Sequence, residues 1–190
     1  MIKKILLSFI LLSGFNALAQ KPCEIDANIK DSIGTYKSTK QYMVFERSFA
    51  GNSTNVFFSL ASTNGVLGLE LQLLQKSNEF IKTTCLNENS KIYIQLQNGK
   101  IVSLFHAGAD SCGSLLRDDN NTNNRIITGT FLFSKENYEE LKKSPVTFIR
   151  IQFSGETVDY PFKTGFVSVL DKKMYEPEKY FMEYLKCIEN

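Results

Sequence analysis

Asn55-Val-Phe-Phe-Ser-Leu-Ala-Ser-Thr-Asn64-Gly65-Val-Leu-Gly-Leu-Glu-Leu-Gln-Leu-Leu74 is the stretch that decides the fold class. Asn-Gly tolerates the positive φ that a two-residue hairpin turn demands. If Asn64-Gly65 is that turn, paired residues have numbers adding to 129. Leu67, Leu69, Leu71 and Leu73 then lie opposite Ser62, Leu60, Phe58 and Val56, so seven of eight residues on one face are apolar. The other face carries Gly68, Glu70 and Gln72. A slip of one residue would turn the whole apolar set outward, so turn and pattern agree on one register.

Working outward, Asn98-Gly99 reads as a second hairpin of the same kind. Its pairing sum of 197 sets Ile92, Ile94 and Leu96 against Phe105, Ser103 and Ile101, and His106 opposite Lys91. Further strands are predicted over 41–47, 125–133 and 146–153. About seven hairpin-linked strands point to a mainly β domain, an antiparallel sandwich or open barrel. An α+β arrangement is the alternative. Ser134 and Pro145 bracket a short inserted helix near 135–143, steadied by a Glu139–Lys143 pair. Pro177 opens a C-terminal helix near 177–188, with Tyr180, Phe181, Tyr184, Leu185 and Ile188 as its apolar stripe.

The N-terminus reads as an export signal. Lys3 and Lys4 precede an apolar run from Ile5 to Leu12, and Ala17-Leu18-Ala19 is a small-x-small cleavage site. The run is too short to span a bilayer. The expected organisation is a cleaved signal over 1–19 and a single β-rich domain over 20–190, periplasmic or secreted. Removing the leader takes two lysines from a balance of 22 basic and 20 acidic residues, leaving a formally neutral chain. Neutrality argues against nucleic acid, whose binding needs a cationic surplus. No later segment is long and apolar enough to cross a membrane.

Four cysteines in an exported chain suggest two disulfides. Cys85 and Cys112 also sum to 197, the second hairpin's number, which favours Cys85–Cys112 and leaves Cys23–Cys187 to tie the N-terminus to the C-terminal helix.

The chemistry available is thin. Ala109-Asp110-Ser111-Cys112-Gly113 is one substitution from the Gly-x-Ser-x-Gly elbow, and His106, the one histidine, lies nearby. An elbow needs a strand-to-helix turn in an α/β sheet, which a β-rich chain does not offer. A Cys112–His106 dyad needs a free thiolate, which an oxidising compartment disfavours. A hydrolase using His106 with Ser111 or Cys112 is therefore the rival reading. Asp118, Asn120 and Thr122 fall at positions one, three and five of a calcium-type loop, but Asn123 and Gly129 stand where glycine and glutamate are required. No metal is expected, with Asp118 and Asn120 as the weak candidates. Without a P-loop or a Gly-x-Gly-x-x-Gly run, no nucleotide cofactor is expected either. The leading expectation is a non-enzymatic binding or interaction protein with a protein or glycan partner outside the cytoplasm. Its contact candidates are Tyr42, Tyr93, Tyr160 and Tyr175, because tyrosine joins apolar area to a polar tip. A structural subunit of a surface assembly is a third possibility.

Overall fold

A computed structural model describes residues 21–189, apart from the side chains of Lys135 and Glu136. The expected leader lies outside the described residues. Fifteen strand segments run along the described residues: β1 (Ile25–Lys30), β2 (Thr35–Thr39), β3 (Tyr42–Phe49), β4 (Asn52–Thr63), β5 (Val66–Ser77), β6 (Cys85–Leu86), β7 (Lys91–Leu96), β8 (Ile101–His106), β9 (Ser111–Cys112), β10 (Ser114–Arg117), β11 (Asn123–Leu132), β12 (Val146–Gln152), β13 (Thr157–Pro161), β14 (Phe166–Val167) and β15 (Met174–Tyr175). Helix α1 (Lys135–Leu141) precedes β12, and α2 (Tyr180–Tyr184) sits between two short 3-10 turns near the C-terminus.

The protein is mainly β and antiparallel. Eleven strands hydrogen-bond in the order β1-β2-β4-β5-β11-β8-β7-β12-β13, with β3 following β2 along one edge of β4 and β10 beside β8 along one edge of β11. The β11–β8 junction consists of only two residue pairs, Phe131 with His106 and Leu132 with Phe105. The sheet therefore folds over there into two sandwich-like layers that share one core. Val56, Phe58, Leu69, Leu71 and Leu73 of one layer and Ile92, Ile94, Val102, Leu104, Ile149 and Ile151 of the other all belong to it. Phe181 of α2 closes one end against Phe58 and Phe133, at ring-centroid distances of 6.1 and 6.3 Å.

The first hairpin has the expected register, with Val56, Phe58, Leu60 and Ser62 opposite Leu73, Leu71, Leu69 and Leu67. Asn64 and Gly65 take φ of 50° and 82°, as a two-residue turn requires. The second hairpin differs from expectation by one residue. Ile92 pairs with Leu104 and Ile94 with Val102, and Lys91 faces Phe105. Here the loop holds three residues, Gln97 to Gly99, closed by the Leu96 amide donating to the Lys100 carbonyl at 2.9 Å. Only Gly99 takes a positive φ, 85°. The Gln97 amide donates to the Pro145 carbonyl at 2.8 Å and the Asn98 amide to Ser144 Oγ at 3.1 Å. These anchors favour the longer loop, and the shift brings Val102 and Leu104 into the core in place of Ile101, Ser103 and Phe105.

Several strands exceed the expected seven. β1, β2, β10 and β13 are short and mix polar with apolar residues, so periodicity does not mark them. The inserted helix stops at Leu141, and Ser134 caps it through its carbonyl rather than its hydroxyl, accepting the Asn137 and Tyr138 amides. Its local ion pairs, Glu139–Lys142 and Glu140–Lys143, are spaced one residue closer than expected.

Both expected disulfides are present. Cys85–Cys112 links β6 to β9, whose paired residues add to 197 while the hairpin beyond them adds to 196. The interruption between them absorbs the extra residue. Cys23–Cys187 closes a loop with a sequence separation of 164. Such a constraint on the unfolded chain stabilises by about 5 kcal/mol in the chain-entropy picture. Two disulfides suit an oxidising environment outside the cytoplasm. Among the described residues no helix is long and apolar enough to cross a membrane.

Candidate functional site

The shifted register of the second hairpin builds the most distinctive surface on the molecule. Core residues alternate with outward ones along β8, β7, β12 and β13, and the outward ones align across strands. Phe105, Lys91, Gln152 and Thr157 form one row, and Ser103, Tyr93, Arg150 and Asp159 a second. The third is Ile101, Gln95, Phe148 and Pro161. A cleft of about 370 Å³ opens over Tyr93, Gln95, Ile101, Phe148, Arg150, Gln152 and Thr157.

The polar groups of this face are fixed by one another. Arg150 grips Asp159 with both arms, Nε to Oδ1 at 2.6 Å and a terminal nitrogen to Oδ2 at 2.7 Å. Such forked pairs hold their geometry better than single contacts. The guanidinium holds the Asp159 carboxyl below the usual carboxylate range. It also lies 6.0 Å from the Phe148 ring centroid, within cation–π reach. Tyr93 donates its hydroxyl to Gln152 Oε1 at 3.1 Å. At the rim, Lys91 Nζ sits 5.3 Å from the Phe105 centroid. Aromatic and aliphatic surface therefore alternates with planar amide and ion-pair groups on a hydrogen-bonded sheet. This arrangement can hold a ligand, but it contains no nucleophile beside a base.

Of the expected contact tyrosines, Tyr93 is the one in this cleft. Tyr160 and Tyr175 are not exposed: they retain 4 and 8 % of their surface. Tyr160 points into the core, edge-on to Phe45 at 5.1 Å, and burial pushes its hydroxyl well above the ordinary range. Tyr175 donates to Asp171 Oδ2 at 2.6 Å and meets Tyr42 edge-on at 5.0 Å. Tyr42 is half-buried, accepts the Glu176 amide at 2.7 Å and packs on Tyr180 and Tyr184. Burial pushes the Tyr184 hydroxyl up to about 12. Lys21 bridges Glu176 and Glu183 at 2.5 and 3.0 Å beside this cluster. With Lys179 it brings the Glu176 carboxyl down to about 2. These aromatics join the start of β3 to β15 and α2.

Each of the three hydrolase candidates has another partner. Cys112 is bonded to Cys85, and Ser111 pairs with Leu86 in β9. His106 lies opposite Phe131, its ring 5.4 Å away, with Nδ1 buried and without a hydrogen-bond partner. No hydrogen bond joins it to Ser111 among the described residues. In the polar loop, Asp118 Oδ1 accepts the Asn120 and Thr122 amides at 3.0 and 2.9 Å, and Oδ2 accepts Asn124 Nδ2 at 3.3 Å. The Thr122 amide is the main reason its carboxyl lies below the ordinary range. The loop's own amides thus take up the charge that a cation would need. Among the described residues no group of three or more His, Cys, Asp or Glu side chains is placed to hold a metal ion.

Sequence reasoning missed Gln95, Ile101, Phe148, Arg150, Gln152 and Thr157 as site residues. The alternation of Phe148, Arg150 and Gln152 with Ile149 and Ile151 was readable, but their meeting with Tyr93 depends on β12 lying beside β7. Strand order is not written in either segment. Comparison with known proteins finds no matching family model, curated relative or solved structure.

Proposed function

We propose that this chain is an exported, non-enzymatic binding protein that holds a glycan on the outer face of β8, β7, β12 and β13. The cleft over Tyr93 and Phe148, with Arg150 beside both and held by Asp159 from β13, carries this reading. A sugar ring offers an apolar C–H face and a rim of vicinal hydroxyls. The first suits an aromatic side chain. The second suits planar groups that donate and accept side by side, such as Gln95, Gln152, Arg150 and Asp159. Arg150 and Asp159 cancel each other's charge, which fits a neutral ligand better than an ionic one. The leader pattern in the sequence and the two disulfides support a place outside the cytoplasm.

The test is titration calorimetry with cellohexaose, maltohexaose and chitohexaose, each against the parent protein, Tyr93→Ala and Phe148→Ala. At least one sugar binds the parent, and each variant loses about tenfold in affinity, the scale of one lost aromatic contact. Binding that both variants retain in full, or a parent that binds none of the three, overturns the proposal.

A further inference from the structure

On another part of the molecule, the hairpin from Phe166 to Tyr175 carries an exposed aliphatic tip. Val167 pairs with Met174 across it, so both side chains leave by the same face, 62 and 63 % exposed. Val169 and Leu170 follow at the turn, 63 and 51 % exposed. The opposite face is anchored, with Phe166 stacked on the buried Tyr175 ring at 5.7 Å.

The turn itself is built. Glu46 of β3 accepts the Val169 and Leu170 amides at 2.8 and 3.2 Å and Ser168 Oγ at 3.3 Å. The Lys172 amide donates to the Ser168 carbonyl at 3.1 Å, with Lys172 at a φ of 62°. Four aliphatic side chains are thus held out in water by a turn whose backbone is hydrogen-bonded to a β-strand.

The charges around this tip select its partner. Lys172 and Lys173 lie on the turn, and Lys163 Nζ sits 5.7 Å from the Phe166 centroid. None of the three makes an ion pair among the described residues. Two carboxylates reach the turn and both are taken up by it: Asp171 accepts the Tyr175 hydroxyl and the Lys173 amide at 2.6 and 3.1 Å, and Glu46 the Val169 and Leu170 amides. Protein hot spots favour tryptophan, tyrosine and arginine, and protein interfaces are depleted in lysine. Aliphatic side chains ringed by lysine are instead the combination that attaches proteins to anionic bilayers, the chains entering the headgroup boundary and the ammonium groups meeting the lipid charge.

We infer that the tip formed by Val167, Val169, Leu170 and Met174 inserts into the surface of an anionic lipid bilayer, with Lys172 and Lys173 on the headgroups. The sugar-binding face is a different surface, so one protein would hold its ligand while resting on a membrane.

Vesicle co-sedimentation tests this, using the protein in the form the exporting cell leaves it. The vesicles are phosphatidylcholine alone, or phosphatidylcholine with about 30 % phosphatidylglycerol, since anionic lipid attracts each nearby lysine by a roughly fivefold factor in partitioning. Partitioning into the anionic vesicles is more than tenfold stronger and falls as salt is raised. The Val169→Asp/Leu170→Asp variant loses it while keeping the parent's unfolding midpoint, and Lys172→Ala/Lys173→Ala loses most of the anionic preference. Tyr93→Ala partitions like the parent, so this inference and the glycan reading fail separately. Equal or absent partitioning into the two vesicles, or full binding by the Val169→Asp/Leu170→Asp variant, overturns the inference. A photo-crosslinker at position 169 that labels only protein in host membranes overturns it as well.

Discussion

The two Asn-Gly hairpins share a dipeptide and differ in almost everything the dipeptide was expected to set. Asn64-Gly65 makes a two-residue turn with both residues at positive φ, whereas Asn98 precedes a single positive-φ residue, Gly99, in a three-residue loop. The first turn is held by β2, through the Thr35 amide donating to Asn64 Oδ1 at 2.8 Å. The second is held by the loop before β12, through Pro145 and Ser144. A turn dipeptide thus offers a short menu of registers, and the neighbouring backbone chooses among them. The first hairpin's choice fills the core. The second's choice also sends Ile101 and Phe105 outward, and Ile101 lines a cleft.

The largest expected contrast sets the core of one hairpin against the outer face of the other. Phe58 is fully buried and touches Phe162, Tyr180 and Phe181. Phe58→Ala should cost about 4 kcal/mol in urea unfolding, the usual scale for a buried phenylalanine. Tyr93→Ala should cost less than about 1 kcal/mol, because it opens no cavity in the core. Its effect belongs in glycan affinity. If Tyr93→Ala destabilised as much as Phe58→Ala, the face would be structural and the binding proposal would lose its ground.

Next in size is the Cys85–Cys112 bridge, which stands at the base of the second hairpin. Replacing both cysteines by serine should cost about 3–4 kcal/mol for a loop of this length. Hydrogen exchange should quicken in β7 and β8 and leave β4 and β5 close to parent values. Uniform loss of protection would show that the bridge serves the whole sheet rather than this hairpin.

The same comparison explains what the sequence could and could not disclose. The register of β4 and β5 was legible because turn chemistry and an unbroken leucine alternation say the same thing. Around Asn98-Gly99 the two outward sets, Tyr93-Gln95 and Ile101-Ser103-Phe105, mix polar and apolar residues, so a slip of one residue leaves a pattern that still looks plausible. Cys85 opposite Cys112 came out right because the interruption beyond the hairpin restores the missing residue. The candidate tyrosines illustrate the converse. Tyr160 and Tyr175 sit among polar neighbours in sequence yet are buried, since Phe45 and Tyr42, more than 100 positions away, cover them. Burial by distant partners leaves no local trace.

A smaller effect separates the two asparagines. Asn64→Ala replaces a residue that tolerates a φ of 50° with one that does so less readily and removes the side-chain bond from the Thr35 amide, so a loss of about 2 kcal/mol is expected. Asn98→Ala removes only the 3.1 Å bond from the Lys100 amide, at an ordinary φ, and should cost about 1 kcal/mol or less. Thermal unfolding of the pair measures the difference. Equal losses would mean that the first turn gains nothing from its clamp on β2.

The smallest expected effect is acid titration of the second hairpin's face. The hydrogen bonds from Arg150 lower the Asp159 carboxyl from its ordinary 3.8. A depressed carboxylate stabilises the folded state at pH values above its unfolded value, and that contribution is lost as pH falls through the lower folded value. Both side chains are about half exposed, at 48 and 50 %, so solvent screening keeps the global cost small. The local consequence is larger. Once Asp159 is protonated, Arg150 loses its forked partner, the cleft gains a net positive charge, and two planar groups lose their alignment. Glycan affinity should therefore hold at the ordinary aspartate value of 3.8 and fall only at lower pH, as Asp159 protonates through its depressed folded value. Asp159→Asn should bind weakly at neutral pH and show no further loss in acid. An Asp159→Asn protein with the parent's affinity and acid profile would remove the ion pair from the site and leave the aromatic rings to hold the ligand alone.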